Sequence, residues 1–297
     1  MFFTVVTPTY NRANLLHRAF DSLSKQSYKQ FEWLVVDDGS NDYTEDVVNK
    51  FKKEAHFSIN YIKLKTNVGK ARALNIASQH VIGSWVVVLD SDDWCDNDAL
   101  QVFYDEIIKA EVKYPNQYGA VSALKRDRQN KNIGDDYSAV DRYGCSYIDR
   151  YRLKIKGDKW EILRADLFTK YSYDLCPGDR YMAPSYAWIK MALDGWKTVF
   201  INKSLSIIEY QATGISNNNI QHRVKSSCSA VQYYNMLSEV DGGYVLNLKC
   251  YINLVRFKIH SKQKVSSFSE FFVYPIARIF TLLDGFKLEK TRRRLIP

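Results

Sequence analysis

Residues 85–94 read Trp-Val-Val-Val-Leu-Asp-Ser-Asp-Asp-Trp, an apolar run that stops abruptly at acidic side chains. A short apolar run rich in β-branched residues is typical of a strand that is buried on both faces of a sheet. Residues 90–93 therefore lie where this strand leaves the core, and ligands of open α/β sheets bind outside the carboxyl ends of the strands. Crowded carboxylates repel one another unless a cation neutralises them, and Mg²⁺ and Mn²⁺ prefer oxygen ligands. The stretch predicts either a metal that holds a diphosphate or an ordinary Asp-rich turn.

Strands alternate with helices over the first part of the chain. Apolar runs predict strands at residues 2–7, 31–36 and 59–64, and apolar residues at helical spacing predict a helix after each strand. Pro8 is expected to end the first strand because it has no N–H for a ladder bond. Asn11 is expected to cap the helix that follows. The alternation predicts an α/β fold with a parallel, doubly wound sheet that is flanked by helices.

Polar and charged side chains stand at the carboxyl ends of the predicted strands. Asp37 and Asp38 follow the second strand, and Gly69 and Lys70 open the helix after the third. Because right-handed crossovers place the carboxyl ends of parallel strands on one side of a sheet, we expect these groups to meet. We call this expected meeting place the rim, and it consists of residues 8–10, 37–38, 69–70 and 90–93.

The chemistry of the rim predicts a nucleotide site. A helix N-terminus and the Lys70 ammonium attract phosphate, the ring of Tyr10 can stack on a base, and a carboxylate accepts hydrogen bonds from a base or a ribose. The glycine motifs of the dinucleotide-binding fold and of the P-loop do not occur in the sequence. Both of those classes of nucleotide-binding protein are therefore disfavoured.

The composition is typical of a globular protein, with 46% hydrophobic and 25% charged residues in a chain of 297. No run of about 18 uncharged apolar residues occurs, so no segment is predicted to span a bilayer. Five cysteines form no Cys-x-x-Cys pair, which argues against a zinc site or a disulfide framework and predicts a reducing, cytosolic environment. They are Cys95, Cys145, Cys176, Cys228 and Cys250.

Four ordered motifs resemble those of a known family. They are Val-Thr-Pro-Thr-Tyr-Asn-Arg at residues 6–12, Val-Val-Asp-Asp-Gly-Ser at 35–40, Asn-Val-Gly-Lys-Ala-Arg-Ala-Leu-Asn at 67–75 and Leu-Asp-Ser-Asp-Asp at 89–93. In order and spacing they resemble the family 2 glycosyltransferases of the GT-A fold, mostly inverting enzymes that use nucleotide-sugars. Residues 201–205, Tyr210 and residues 213–216 also resemble the end of the family's catalytic domain.

The resemblance implies a GT-A domain, a mostly parallel sheet flanked by helices, over residues 1–220. Its first half, residues 1–123, would bind the nucleotide-sugar, and its second half, residues 124–220, would bind the acceptor. Helical patterns beyond this domain predict a helical, basic C-terminal extension over residues 221–297.

The resemblance also implies a donor site, which would be formed by Pro8, Thr9, Tyr10, Asp38, Lys70, Asp90 and Ser91. The base, usually uracil, would lie against Pro8, Tyr10 and Asp38. The diphosphate would lie near Lys70.

The acidic motif would complete this site. Asp90 would lie near the ribose, and Asp92 would bind the metal, Mg²⁺ or Mn²⁺. The metal and the nucleotide-sugar would then share the rim.

The catalytic base is less evident. Many family members have a glutamate directly after the proline equivalent to Pro184, where this chain has Ser185. A serine does not accept a proton at neutral pH without a base of its own. Asp179 and Glu161 are the nearest substitutes. Asp179 is also consistent with a turn, and Glu161 with the solvated end of a helix that carries Leu163.

The end of the chain is rich in both basic and apolar residues. Residues 256–297 carry ten lysines and arginines against three acidic side chains, within a formal net charge of +9 for the whole chain. An apolar stripe precedes the last basic cluster: Phe268, Phe271, Phe272, Pro275, Ile279, Leu282 and Leu283. A segment of this kind either lies on an anionic membrane surface or packs as a helix against the protein's own body. No stacking platform accompanies the charge, so nucleic acid is not expected as a partner.

The resemblance implies that a sugar is transferred, with metal assistance and inversion, from a nucleotide-sugar, UDP-linked, to a hydroxyl of a glycan or lipid-linked acceptor. Bacterial surface polysaccharide synthesis is the process that it implies. The expected location is the cytoplasm, with peripheral attachment at the inner face of the cytoplasmic membrane if the tail binds lipid. Because Ser185 replaces the usual glutamate, the alternative is a catalytically impaired nucleotide-sugar-binding or assembly partner of the same fold.

Overall fold

A computed structural model describes residues 1–209 and 219–294, and the side chains of these residues except at 286, 287 and 289–294. Contacts divide the chain into two compact units. The first consists of Met1–Ser172 and Lys190–Glu209. The second consists of Tyr173–Ile189 and Tyr210–Pro297, and residues 219–294 of the latter range are described. The predicted domain boundary at residue 220 stays a prediction. Tyr210 and residues 213–216, whose motif resembles the family, lie outside the described residues.

The first unit is built on an eight-stranded mixed sheet. Its strands are β1 (Phe3–Thr9), β2 (Phe31–Asp37), β3 (Ser58–Lys63), β4 (Trp85–Val88), β5 (Trp94–Cys95), β6 (Tyr118–Arg126), β7 (Lys159–Arg164) and β8 (Lys197–Ile207). Their order in the sheet is β3-β2-β1-β4-β7-β6-β8-β5. The first four of these neighbours pair in parallel, whereas β7 is antiparallel to both β4 and β6. The predicted α/β fold is confirmed, with its parallel half at the N-terminal side.

Eleven helices are described, and the first seven lie between strands in the order of the chain. They are α1 (Leu16–Ser24), α2 (Thr44–Glu54), α3 (Lys70–Ala77), α4 (Ala99–Lys113), α5 (Asp149–Arg152), α6 (Ala165–Lys170), α7 (Ser185–Leu193), α8 (Asn219–Lys225), α9 (Ser227–Ser238), α10 (Tyr244–His260) and α11 (Phe268–Arg294). None of the described helices is long and apolar enough to cross a bilayer.

The core holds the carboxyl ends of β1, β2 and β4 in place. All seven residues of β1 and all seven of β2 are buried, as an apolar run flanked on both faces requires. Phe3, Trp33 and Phe103 are among the largest fully buried side chains. Burial of each such side chain stabilises the fold by about 1.5–3 kcal/mol. The strands whose carboxyl ends form the rim are therefore anchored in the core by large apolar groups.

The first strand does not end at Pro8, so that prediction was wrong. Pro8 lies within β1 and opposite Val36 of β2. The Thr9 carbonyl accepts a hydrogen bond from the Asp38 amide, so the backbone polar groups of Thr9 point toward β2. Those of Pro8 point toward β4, the other neighbour of β1. On that side the pairing of β1 with β4 ends at Val6. The missing N–H of Pro8 therefore leaves no ladder bond unmade.

Two further local predictions were wrong. Asn11 does not cap α1, which begins at Leu16 without a side-chain cap; Asn11 instead adopts φ +51° and its Oδ1 accepts the Asn41 amide at 2.9 Å. Leu163 lies on strand β7, and the helix begins only at Ala165. A short apolar run is compatible with either state, and here pairing with β4 and β6 selects the strand.

The second unit contains a disulfide, between Cys176 and Cys228. The prediction that the cysteines form no disulfide was therefore wrong, and the inference of a reducing environment loses its basis. The two residues are 52 positions apart. No local spacing marks such a pair, because only the folded chain brings its members together.

Helix α11 packs on α10 through a narrow face that contains Val273 and Ala277, which contact Val255. The same face carries Glu270 and Asp284, both buried. Nine large apolar side chains of α11 are instead exposed: Phe268, Phe271, Phe272, Tyr274, Ile276, Ile279, Phe280, Leu282 and Leu283. Most of the apolar stripe is therefore not covered by the described part of its own unit.

Candidate donor-binding site

The four motifs meet at the carboxyl ends of β1, β2 and β4. Contacts between them join Asp38 to Val68 and Gly69, Lys70 to Asp90, and Arg12 to Asp92. These residues are up to 80 positions apart in the chain. The structure therefore brings the predicted rim together, as right-handed crossovers between parallel strands require.

Asp38 shapes the turn that leads into α3. Its Oδ1 accepts the Val68 amide at 2.7 Å and its Oδ2 accepts the Gly69 amide at 2.8 Å. Gly69 has φ +94°, in the left-handed region that favours glycine. With both oxygens on backbone amides, the Asp38 carboxylate fixes the start of α3 at the end of β2.

Its neighbour Asp37 is structural. The Asp37 side chain is fully buried and accepts the Ser40 amide at 2.8 Å and the Tyr61 hydroxyl at 2.6 Å. Burial, together with this hydrogen bond and the charge of Asp37, raises the pKa of Tyr61. Of the two acids that end β2, Asp37 thus holds the strand end to β3, and Asp38 holds the turn that leads into α3.

Three carboxylates after β4 each have their own cation. Lys70 Nζ lies 2.5 Å from Asp90 Oδ1, Arg12 Nη1 lies 3.0 Å from Asp92 Oδ2, and Lys125 Nζ lies 3.3 Å from Asp93 Oδ2. The third pair is nearly buried, whereas the first two are 20–33% exposed. Protein cations therefore relieve the repulsion that the sequence predicts among these carboxylates.

The charges around the rim move two pKa values in opposite directions. Burial disfavours the ionised form of Asp90, but Lys70, Lys125 and Arg12 outweigh it and the pKa of Asp90 is lowered. Burial raises the pKa of Asp93 to about 7, and the charges of Asp90 and Asp92 add to this effect against the attraction of Lys125. Asp90 is therefore the firmly ionised member of the cluster.

The remaining predicted donor residues line the end of β1 and the turn after β4. Pro8 and Thr9 are buried, and Thr9 Oγ1 has no hydrogen-bond partner among the residues that the structure describes. Tyr10 is 42% exposed, so its ring is open to stacking. Ser91 is buried in the turn between Asp90 and Asp92.

The donor atoms of the rim fit a hard divalent cation. The Asp92 carboxylate offers oxygen, which Mg²⁺ and Mn²⁺ prefer as a ligand. One of its two oxygens, Oδ2, already lies against a positive charge, the Arg12 guanidinium. Among the described residues, the one set of three Cys, His, Asp or Glu side chains with donor atoms within 4.8 Å of one another lies elsewhere. It consists of Cys176, Asp179 and Cys228, and its two sulfurs are bonded to each other.

Glu161 lies on β7, so its placement at a solvated helix end was wrong. Its Oε1 accepts hydrogen bonds from Arg150 Nη1 at 3.1 Å and from Ser122 Oγ at 3.3 Å. Burial raises the pKa of Glu161 although Arg150 and Lys125 oppose this. Glu161 is thus a buried carboxylate with a proton affinity above that of a surface glutamate.

Asp179 belongs to the second unit. Its Oδ2 accepts the Ser229 amide at 2.8 Å, in the first turn of α9, and the Cys176 amide donates to Ser229 Oγ at 3.0 Å. Ser185 Oγ lies 3.0 Å from the Tyr233 hydroxyl. Asp179 therefore holds a loop onto a helix N-terminus, where a carboxylate is favoured.

Beside the rim lies a cavity of about 510 Å³, lined by Trp94, Cys95, Asp96, Asn97, Arg126, Asp127, Arg128, Asn130 and Ile207. Trp94 follows Asp93 directly, and Arg126 follows Lys125. The cavity and the Asp93–Lys125 pair therefore share strand β6. Polar planar side chains beside a tryptophan can hydrogen-bond and stack on a hydroxyl-rich ligand.

Sequence reasoning missed two basic residues of the rim. Arg12 stands in the first quoted motif, and that position was the signal to give it a role. Lys125 was given no role from the sequence, whereas it lies on β6, is nearly buried and pairs with Asp93. Burial lowers the pKa of Lys125, but Asp93 and Asp90 outweigh it and the net direction is upward. No local pattern marks a lysine that is buried by ion pairing.

Comparison with known proteins identifies the family of this chain. Residues 4–171 match the model of glycosyl transferase family 2. Glycosyltransferase GlyA of Streptococcus pneumoniae is 28% identical over 212 residues, which are 68% of this chain and 30% of GlyA. The poly(ribitol-phosphate) beta-N-acetylglucosaminyltransferase TarS of Staphylococcus aureus is 34% identical over 137 residues, which are 43% of this chain and 24% of TarS. The chain thus spans less than a third of the length of these two relatives.

Solved structures show the same fold. TarS 1–349 in complex with UDP-GlcNAc superposes with a TM-score of 0.64 at 16% identity, covering 99% of this chain and 92% of that one. The mannosyltransferase PcManGT from Pyrobaculum calidifontis, in complex with GDP-Man and Mn²⁺, gives 0.60 at 20% identity, covering 99% and 87%. The GT-A fold expected from the motifs is confirmed. Because the family model matches more than half of its residues, this chain belongs to glycosyl transferase family 2.

Proposed function

We propose that this chain transfers a sugar from a UDP-linked nucleotide-sugar to a hydroxyl of a glycan or lipid-linked acceptor, with inversion at the sugar carbon. The observation that carries the proposal is the meeting of the four motifs in one rim, joined by the Asp38–Gly69, Lys70–Asp90 and Arg12–Asp92 contacts. TarS, whose structure holds UDP-GlcNAc, supports the choice of uridine as the base.

The donor would be bound by groups that the rim presents. Tyr10 would stack on the base and Asp38 would accept a hydrogen bond from it. Asp90, which is firmly ionised, would accept hydrogen bonds from the ribose, and the Lys70 ammonium would pair with the diphosphate. Thr9 Oγ1, buried and without a partner, would gain one from the ligand.

A divalent cation, Mg²⁺ or Mn²⁺, would be held by Asp92. When bound, it would neutralise charge on the departing diphosphate. The structure of PcManGT, which contains Mn²⁺ and GDP-Man, supports this assignment. Asp92 would act on the diphosphate only through this cation, because the carboxylate and the diphosphate are both anions.

The acceptor hydroxyl would lose its proton to a carboxylate of the chain, either Glu161 or Asp179. Glu161 has the raised pKa of a better proton acceptor, but it must share its oxygens with Arg150 and Ser122. Asp179 keeps one oxygen on the Ser229 amide. For Glu161, the proton would reside on the carboxyl group at the end of the transfer.

The acceptor would extend into the cavity beside the rim. Asp127 and Asn130 would hydrogen-bond to hydroxyls of the acceptor. The Trp94 ring is already in contact with the guanidinium groups of Arg18 and Arg128, at 5.5 and 5.4 Å, and would form part of the cavity wall. The cavity shares β6 with the rim through Lys125 and Arg126. An acceptor bound there would therefore lie close to the transferred sugar.

The C-terminal helix would bring the protein to an anionic membrane surface, at the cytoplasmic face of the membrane, where a lipid-linked acceptor in bacterial surface polysaccharide synthesis would lie. The nine exposed apolar side chains of α11 support this, because isolated soluble proteins rarely expose such continuous apolar surface. The basic residues that follow in the sequence match anionic lipid in charge. Pelleting with anionic liposomes is the expected result, and Phe271→Glu with Phe272→Glu should abolish it. Equal pelleting of the double variant would contradict the proposal.

A second candidate function is a catalytically impaired nucleotide-sugar binder or assembly partner. The observation that favours it is Ser185, which occupies the usual position of a glutamate and contacts the Tyr233 hydroxyl. In this candidate the donor site persists and the transfer is lost. Binding of UDP without turnover would be its signature.

The decisive experiment combines binding and turnover. Purified protein is incubated with a panel of UDP-sugars and Mn²⁺, and release of UDP is measured with and without candidate acceptors. Asp92→Ala is expected to lower turnover at least about 100-fold, since it removes a group that stabilises the leaving diphosphate. Asp21→Ala, an exposed aspartate on α1, is the matched control and should keep full activity. Binding of UDP without turnover on any donor would favour the second candidate.

A further inference from the structure

The backbone around Arg12 is held firmly. Three hydrogen bonds tie its neighbours to the turn at residues 40–42: Asn11 N to Ser40 Oγ at 2.9 Å, Asn41 N to Asn11 Oδ1 at 2.9 Å, and Ala13 N to Asp42 Oδ2 at 3.0 Å. The Arg12 carbonyl also accepts the Leu15 amide at 2.9 Å. The main chain at Arg12 is therefore fixed by the turn and by the start of α1.

The Arg12 side chain is held differently. Its guanidinium pairs with Asp92 through one contact, from Nη1 to Oδ2 at 3.0 Å, and the two side chains are 20% and 22% exposed. A single, partly exposed ion pair is weak and can be exchanged. Lys125 and Asp93, at 13% and 9% exposure, form the more buried pair of the same cluster. A long side chain on a fixed backbone can thus leave Asp92 without disturbing the fold.

From this arrangement we infer that Arg12 is an internal counter-ion of Asp92, which a divalent cation displaces. Arg12 and the metal then compete for one carboxylate. The divalent ion wins at sufficient concentration because its charge is twice that of the guanidinium. The inference rests on the proposed function, in which Asp92 is the metal ligand.

The displaced guanidinium has a second partner within the same function. A guanidinium matches phosphate oxygens in a planar, two-point arrangement. Once released from Asp92, Arg12 pairs with the diphosphate of the donor. Arg12 is therefore a positioning residue: it balances the charge of Asp92 before the donor binds and the charge of the diphosphate afterwards.

The test measures Mn²⁺ binding directly and without nucleotide, from the electron paramagnetic resonance signal of free Mn²⁺. Arg12→Gln is expected to bind Mn²⁺ about tenfold more tightly than the wild type, because the competing charge is gone. Arg12→Lys keeps the charge and should bind close to the wild-type value. Arg164→Gln is the matched control, since it removes a guanidinium of 24% exposure that pairs with Asp166 away from the rim.

Two results would overturn the inference, and they are distinguishable. If Asp92→Asn abolishes Mn²⁺ binding but Arg12→Gln binds no more tightly than the wild type, Arg12 does not compete and the metal assignment stands. If Asp92→Asn binds Mn²⁺ as well as the wild type, Asp92 is not the ligand and the metal assignment of the proposed function fails as well. Unchanged thermal unfolding of Arg12→Gln would show that the change in affinity is not a folding effect.

Discussion

Carboxylates are neutralised in two ways in this protein, at the rim and in the C-terminal helices. At the rim, Asp92 has one cation and is 22% exposed. In the helical unit, Asp284 is fully buried and has two partners: Arg256, which donates through Nε at 2.7 Å and also through Nη2, and His260 at 3.0 Å. A single, partly exposed ion pair is weak, so a ligand can replace one of its members. Separating a buried carboxylate from two partners costs much more free energy.

The largest effect on stability is expected at Asp284. Asp284→Ala leaves Arg256 buried without its carboxylate, which costs about 3–5 kcal/mol of the free energy of unfolding. Urea denaturation followed by circular dichroism measures this cost. Asp92→Ala is the comparison variant and should change the free energy of unfolding by less than about 1 kcal/mol. Equal costs for the two variants would remove the distinction between the two regions.

Acid is expected to loosen the helical unit through the same residue. Burial opposes ionisation of Asp284, but the hydrogen bonds and charges of His260 and Arg256 outweigh it and lower its pKa. A lowered pKa in the folded state contributes stability that is present above the ordinary value of 3.8 and is lost as the pH falls through the folded value. Unfolding measured between neutral and acid pH should therefore show a steeper loss of stability below pH 4 in wild type than in Asp284→Asn. Parallel curves for the two proteins would contradict this.

The smallest effect is expected from salt at the rim. The Lys70–Asp90 pair is about one-third exposed on both sides, so its contribution to stability should stay below about 1 kcal/mol. Raising the ionic strength to about 1 M shortens the screening length and should reduce the difference between wild type and Lys70→Met. The same salt should leave the cost of Asp284→Ala almost unchanged. A salt-sensitive Asp284 would indicate that this carboxylate is not shielded from solvent.

Much of the fold was predictable from local patterns. The strands that carry the rim and the helices that follow them are apolar at the spacing of their own secondary structure. Where sheet pairing decides, prediction failed: Pro8 continues β1 because no neighbour needs its N–H, and Leu163 belongs to β7 because two strands flank it. The sequence of a short apolar run does not show which strand it will pair with.

The candidate site was predictable in position but not in its internal contacts. Motif spacing placed Asp38, Lys70, Asp90 and Asp92 on one rim, and their roles in donor binding stay predictions. The separation of Asp37 from Asp38 into a buried structural acid and a rim acid depends on Tyr61, 24 residues away. The role of Lys125 depends on its burial beside Asp93. Neither the Asp37–Tyr61 contact nor the Asp93–Lys125 pair can be predicted from the local sequence.

Hydrophobic periodicity and crossover handedness, which are rules that short segments obey, were enough to predict the class of fold and the convergence of the strand ends. The family was predictable only from the resemblance of the four motifs. Tertiary structure alone decided which cation each carboxylate takes, that Cys176 pairs with Cys228, and that the apolar stripe of α11 faces outward. The physical reason is distance along the chain. Ion pairs and disulfides join residues that become neighbours only when the whole core is packed, and their partners are chosen by that packing.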